Sequence, residues 1–138
     1  MNRWGVPMLR LALAVIFVWF GLLKPLGLSP AAPLVLATTA DLPVFTPETW
    51  MVLIGWWEVG IGLTFLHPRT VRIAIALLGL QMIGTFLPLV LLPGVTFQPE
   101  HMPYGLTMEG QYIVKNLLII AAALVIGGTV EPRADKPR

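Results

Sequence analysis

The residues that could transfer protons or hydrogen-bond a ligand are ionisable and amide side chains that lie within apolar segments of the sequence. The segment TMEGQYIVKN, which begins at Thr107, places Glu109, Gln111, Lys115 and Asn116 at the start of an apolar run long enough to cross a membrane. A charged side chain near the bilayer centre costs roughly 2.5–3.5 kcal/mol on insertion scales, and such residues usually face a bundle interior or a wet cavity. The sequence therefore predicts partners for these groups inside the protein.

Three other apolar segments each carry a polar residue of the same kind. Lys24 ends the first, Glu58 lies in the middle of the second, and Gln81 lies in the middle of the third. Because polar groups in a low-dielectric interior must be paired, we predict one polar cluster shared by all four segments. Within this cluster we expect Glu58 to pair with Lys115. Lys24 and Glu109 are expected nearer the outer end of the bundle, which is the end opposite the chain termini.

Two explanations of this cluster are open. Polar residues can also serve only to stabilise helix packing, since interhelical hydrogen bonds in membranes contribute well under 1 kcal/mol each on average. For Gln81 alone, this structural role is the better explanation. Glu58, Lys115, Glu109 and Asn116 taken together favour a functional pocket, because several unpaired polar groups in one place need a reason.

Tryptophans are the second group with chemical potential. Trp4, Trp50 and Trp19 suit an interfacial aromatic belt by their depth. Trp56 and Trp57 instead lie mid-span beside the acidic residue of the second segment, where a flat ring could stack on a planar ligand such as a quinone. Lipid contact is an equal alternative for at least one of them, because adjacent helical residues point in different directions.

These residues are positioned by membrane spans. The chain has 138 residues, of which 57% are hydrophobic and 12% are charged, a balance outside that of soluble domains. At about 20 residues a span, this length holds four helices and no separate soluble domain. We predict an all-α fold, an integral membrane four-helix bundle forming a single transmembrane domain over residues 1–138, with spans at about 7–24, 48–66, 69–92 and 107–128.

The connection between the first two spans, Pro25 to Pro47, is too apolar for a plain solvated loop. Ser29 followed by Pro30 resembles a helix cap with proline in the first turn. We therefore predict a short interfacial or re-entrant helix over Pro30 to Thr38, which would act as a lid.

Basic residues set the expected orientation. Seven of the nine lysines and arginines fall on one side of the four-span bundle, which predicts a multi-pass protein of a bacterial-type inner membrane with both termini cytoplasmic. These seven are Arg3, Arg10, Arg69, Arg72, Arg133, Lys136 and Arg138. Their places at the ends of apolar segments also argue against a nucleic-acid partner.

Composition excludes several kinds of site. The chain contains no cysteine, so thiol redox relays, iron–sulfur clusters and disulfides within it are excluded. His67 and His101 fall at opposite ends of the predicted bundle, and we therefore assign no metal site.

Five motifs in order carry a family resemblance. They are WFGLLK from Trp19, SPAAPLV from Ser29, GWWEVGIGL from Gly55, PGVTF from Pro93 and EGQYIVKN from Glu109. Together they resemble the DoxX-like membrane proteins, particularly the YkgB-type branch, over about residues 10–128. The resemblance implies a four-helix membrane bundle linked to quinone-dependent or redox-stress chemistry, as in a subunit of a thiosulfate:quinone oxidoreductase. The positions that match the family are Lys24, Glu58, Glu109, Gln111, Lys115 and Asn116.

A quinone would need only proton donors and a hydrophobic slot from the protein, and its electrons would come from a partner protein or a bound reductant. Lys115 and Glu58 could supply protons, while Tyr112 and Asn116 could hydrogen-bond the carbonyl groups. The resemblance thus favours a quinone- or small-molecule-binding membrane subunit of an oxidoreductase system.

Two other functions are open from the sequence. The same charges could form a proton or solute path in a transporter or channel-like protein, or serve as structural locks in a non-catalytic membrane assembly factor. Besides the lipid bilayer, a redox protein and a second copy of this chain are the partners compatible with these functions.

Overall fold

The computed structural model describes residues 2–102 and 104–130 and is helical over most of them. The helices are α1 (Asn2–Leu23), α2 (Ala32–Thr39), α3 (Pro47–Leu66), α4 (Val71–Leu91), α5 (Pro93–Thr96), α6 (Met108–Val114) and α7 (Asn116–Gly127), with a 3-10 turn (Pro68–Thr70) between α3 and α4. An isolated antiparallel bridge joins Phe97 to Leu106 in the connection between α5 and α6.

Four helical segments within the described residues are long and apolar enough to cross a membrane. They have 20 to 24 residues each, and α6 with α7 forms the fourth. The prediction of an all-α membrane four-helix bundle is confirmed, and the protein is a multi-pass membrane protein. Arg133, Lys136 and Arg138, three of the basic residues used to predict the orientation, lie outside the described residues.

The span boundaries follow local capping chemistry. Thr46 accepts a hydrogen bond from the backbone N–H of Thr49 at 3.3 Å, with Pro47 in the first turn of α3. The first span begins at Asn2, earlier than predicted, with Pro7 inside the helix. A proline near a helix end removes one backbone hydrogen bond without ending the helix, so the sequence signal at this residue was misleading.

The spans form a ring in the order α1, α3, α4 and α6 with α7, which returns to α1. The end of the ring that holds the start of α1 and the end of α7 is called the terminal end, and the opposite end is called the lid end. The short helix α2 lies at the lid end and packs against α3 and α4. The predicted short helix is therefore present, beginning at Ala32 rather than Pro30.

Glycines bring α1 and α3 into close contact. A Cβ atom added at Gly55 would lie 2.7 Å from the carbonyl oxygen of Gly21, and one at Gly62 would lie 2.9 Å from that of Ala14. Small residues let membrane helices approach at backbone distance, and van der Waals contact then holds them together. By contrast, a Cβ at Gly60 of the same helix would meet nothing within 4 Å.

The tightly packed core lies toward the terminal end. Its buried residues come from all four spans, and they are Leu13, Phe17, Ile61, Phe65, Val71, Ala74, Leu78, Met82, Ala122, Ala123 and Ile126. Lys24 and Glu58 lie beyond this core, toward the lid end.

Arg10 closes the terminal end of the α1 and α3 pair. Its Nε donates to the carbonyl oxygen of Phe65 at 3.0 Å, and its Nη2 donates to that of Leu66 at 2.5 Å. These carbonyl groups have no partner in the last turn of α3, so a cationic donor satisfies them.

Replacing Arg10 with methionine is expected to lower the free energy of unfolding by about 2 kcal/mol, the scale of hydrogen bonds to a charged donor. The measurement is denaturant unfolding in detergent micelles, followed by helical circular dichroism. Arg69→Met is the control, since that arginine is exposed at the same end of the bundle. Equal losses for both variants would contradict a specific role for Arg10.

Candidate functional site

A buried ion pair lies at the centre of the lid half. Lys24 Nζ donates to Glu58 Oε2 at 2.5 Å, and the two side chains are only 8% and 12% exposed. The second carboxylate oxygen, Oε1, accepts a hydrogen bond from Gln81 Nε2 at 2.9 Å. This network joins the end of α1 to α3 and α4, and it satisfies both oxygens of a carboxylate that water does not reach freely.

The predicted pairing of Glu58 with Lys115 is therefore wrong. The reason is the glycine contact between α1 and α3, because Lys24 follows Gly21 by one turn and Glu58 follows Gly55 by one turn. Backbone contact at the two glycines places both side chains on the same interface. Lys115 is exposed, and within the described part of the chain its side chain forms no hydrogen bond or ion pair.

A cavity of about 820 Å³ extends from this network to α2. Its lining is mostly apolar and comes from all four spans and the short helix, with Leu34 and Val35 of α2 closing the lid end. Cavities of this size with apolar walls and a few convergent polar groups are typical of small-molecule sites.

The structure divides the ten predicted site residues into two groups. Those that line the cavity are Lys24, Trp57, Glu58, Gln81, Tyr112, Lys115 and Asn116. The other three, Trp56, Glu109 and Gln111, are exposed and do not belong to its lining.

The adjacent tryptophans of α3 have different surroundings. Trp56 is 55% exposed on the surface of the bundle. Trp57 lines the cavity and donates its indole N–H to the carbonyl oxygen of Leu77 at 3.2 Å, which connects α3 with α4. Trp57 thus supplies a ring to the cavity wall while its polar atom is already bonded.

The fourth span is interrupted at Lys115, between α6 and α7. The side-chain amide of Asn116 donates to the carbonyl oxygens of Tyr112 and Ile113 at 3.1 and 3.0 Å. A side chain that bonds to these carbonyls competes with the helical backbone ladder, which accounts for the break. Asn116 therefore stabilises the break in the fourth span. Its side-chain amide hydrogens are already bonded to carbonyl oxygens of α6 and are not available to a ligand.

Trp50, whose depth suits the interfacial belt, also lines the cavity. Its Nε1 is buried and has no hydrogen-bond partner within the described residues, and its ring meets Phe45 edge to face with 5.2 Å between centroids. Trp50, Ile54 and Glu58 are spaced by four residues on one face of α3, and this spacing could have indicated the position.

Comparison with known proteins yields no match. No family model matches the chain, and no match was found among curated proteins or solved structures. The site therefore has to be interpreted from its own geometry. Among the described residues, no three histidine, aspartate or glutamate side chains are grouped so that they could hold a metal ion.

Proposed function

We propose that the protein binds a membrane-soluble small molecule with a hydrogen-bond-accepting head, of the quinone class, in the cavity between the ion pair and α2. The observation that carries the proposal is Trp50, a residue of the apolar cavity wall whose buried indole N–H has no hydrogen-bond partner within the described residues. A buried donor without a partner costs about 1–3 kcal/mol, and a turn of the ring toward an acceptor on a bound ligand would recover that free energy.

The residues present fit a quinone head. The walls are apolar enough for a flat ring, and Trp57 offers an aromatic face. Lys24 Nζ and, after a turn of its ring, Trp50 Nε1 are the donors that would hold carbonyl oxygens, and Tyr112 is a further hydroxyl-bearing residue of the cavity wall. A bound quinone would supply two-electron, two-proton redox chemistry, for which electrons would come from a partner protein.

Glu58 contributes to ligand binding as well as to helix packing. Its carboxylate, bonded by Gln81 and Lys24, holds the lysine ammonium at the cavity edge. One N–H of that ammonium is used by the carboxylate, and its other two hydrogens are donors for a ligand. The ion pair thereby orients a donor in the cavity.

The test is extraction of the gently purified protein with organic solvent, followed by mass spectrometry and ultraviolet spectroscopy. We expect a quinone at about one molecule per chain in the parent. In Trp50→Phe its affinity should fall about tenfold, which corresponds to roughly 1.4 kcal/mol for one lost hydrogen bond. Trp4→Phe is the matched control, because Trp4 is 72% exposed and lies at the terminal end.

Trp50→Phe should leave the stability of the ligand-free protein unchanged or raised, because it removes a buried unsatisfied donor. Absence of any lipid-soluble ligand from the folded parent would contradict the proposal. Solute flux in liposomes that is abolished by Glu58→Gln would then favour a transporter. A protein without flux, whose polar substitutions affect only stability, would instead favour an assembly factor.

A further inference from the structure

Exposed residues of the cavity wall lie on α1 and α6, two helices that do not pack closely against each other within the described residues. Ile16 and Phe20 on α1 are 38% and 45% exposed, and Tyr112 on α6 is 57% exposed. All three line the cavity. Trp57 and Leu80 also line the cavity with exposed side chains, but they belong to α3 and α4, which pack against each other. The cavity therefore reaches the surface between α1 and α6.

This opening lies at the depth of the lipid chains. Phe20 precedes the end of α1 by three residues and Tyr112 follows the start of α6 by four. At 1.5 Å per residue, they lie roughly 4.5 to 6 Å inside the lid end of their spans, with Ile16 one turn deeper. An opening at this depth faces hydrocarbon rather than water.

The break in the fourth span explains why the seam is open there. α7 packs against both α1 and α4, whereas α6 packs against α4 and α5. α6 packs closely against α5, since a Cβ atom added at Gly110 would overlap the carbonyl oxygen of Thr96. In addition, Thr107 Oγ1 donates a hydrogen bond to the carbonyl oxygen of Val95 at 2.6 Å. These contacts hold α6 against α5, on the side away from α1.

The other neighbouring spans are held together by packing or by hydrogen bonds. Trp57 bridges α3 to α4 through its bond to Leu77, and α2 covers the lid end. Between α1 and α6, no side-chain hydrogen bond joins the two helices within residues 2–102 and 104–130. The seam between Phe20 and Tyr112 therefore combines the lack of close helix packing with the lack of a side-chain hydrogen bond, and the cavity wall can part there without breaking either kind of contact.

We infer that the ligand enters laterally from the leaflet at the lid end, through the seam between α1 and α6, and that it is a lipid with a long apolar chain. Its head lies in the cavity and its chain extends between Phe20 and Tyr112 into the surrounding lipid. This inference rests on the proposed function and narrows its ligand to a membrane-resident, chain-bearing quinone.

The chain has no cysteine, so a single introduced thiol can be labelled selectively. Phe20→Cys protein is loaded with a deuterated isoprenoid benzoquinone in mild detergent, labelled there with a bulky maleimide to a stoichiometry checked by mass spectrometry, and then reconstituted in phosphatidylcholine vesicles. Exchange against unlabelled quinone in the vesicles is followed by mass spectrometry of the repurified protein. Leu118→Cys, on an exposed residue of α7 outside the cavity lining, is the matched control.

We expect the adduct at residue 20 to slow exchange at least tenfold, while the adduct at residue 118 leaves the rate unchanged. The quinone still bound just after labelling reports that the protein is folded. A benzoquinone without its chain should bind the unlabelled protein at least tenfold more weakly. Exchange that continues at the parent rate with the adduct in place, or equal binding of the chainless quinone, would overturn lateral entry and leave the proposed function standing. Failure of the parent and of every unlabelled variant to take up quinone would overturn both lateral entry and the proposed function.

Discussion

Replacing Lys24 with leucine is expected to lower the free energy of unfolding by about 3–5 kcal/mol, the scale for removing one partner of a buried ion pair. The substitution leaves the Glu58 carboxylate in an interior where its side chain is only 12% exposed, and Gln81 is then its one remaining hydrogen-bond partner among the described residues. The measurement is reversible denaturant unfolding in mixed micelles, followed by helical circular dichroism.

The double variant Lys24→Leu, Glu58→Leu should recover most of the loss, because two apolar side chains of similar volume need no compensation in the interior. Lys115→Leu is the control for the loss of a positive charge near the same cavity, and its effect should be near zero since Lys115 is exposed and unpaired within the described residues. If the double variant were less stable than either single variant, the ion pair would not be the source of the loss.

The second large effect is expected at the contact of α1 with α3. Gly55→Ala should destabilise the bundle by about 2–3 kcal/mol, because the added methyl group would lie 2.7 Å from the carbonyl oxygen of Gly21 and 2.6 Å from Pro25 Cδ. Relief requires the two helices to move apart. Such a movement would also lengthen the bond between Lys24 and Glu58, so the same variant should weaken ligand binding.

Gly60→Ala on the same helix is the matched control. A Cβ atom at Gly60 would meet nothing within 4 Å, and alanine in a helix interior is favoured over glycine by about 0.8–1.0 kcal/mol. This variant should be neutral or slightly stabilised in the same unfolding measurement. Equal destabilisation by the two alanines would mean that helix contact does not decide the response at Gly55.

The elements of this fold could be predicted from hydropathy and capping signals. Thr46 with Pro47 starts α3, and Ser29 accepts a hydrogen bond from the N–H of Ala31 at 3.2 Å just before α2. These signals are local, since each depends on residues within one helical turn. For that reason the boundaries of the last three spans differ from the prediction by only one or two residues.

The candidate site could be predicted only in part. Depth along each span correctly suggested that Glu58 and Gln81 face the interior, where they bond to each other. It could not identify the partner of the carboxylate, because depth says nothing about the distance between helices. Trp50 was missed for a related reason, since its depth matches a belt residue while its helix face points to the cavity.

Hydropathy and capping signals are enough to predict a membrane bundle of four helices with a short extra helix between the first two, because hydrocarbon solvation and backbone capping act on each segment separately. The pairing of the charges and the position of the cavity opening are set only when the helices pack together. Those outcomes depend on the close approach of α1 to α3 at glycines and on the break at Lys115, which are relations between helices that no single segment contains.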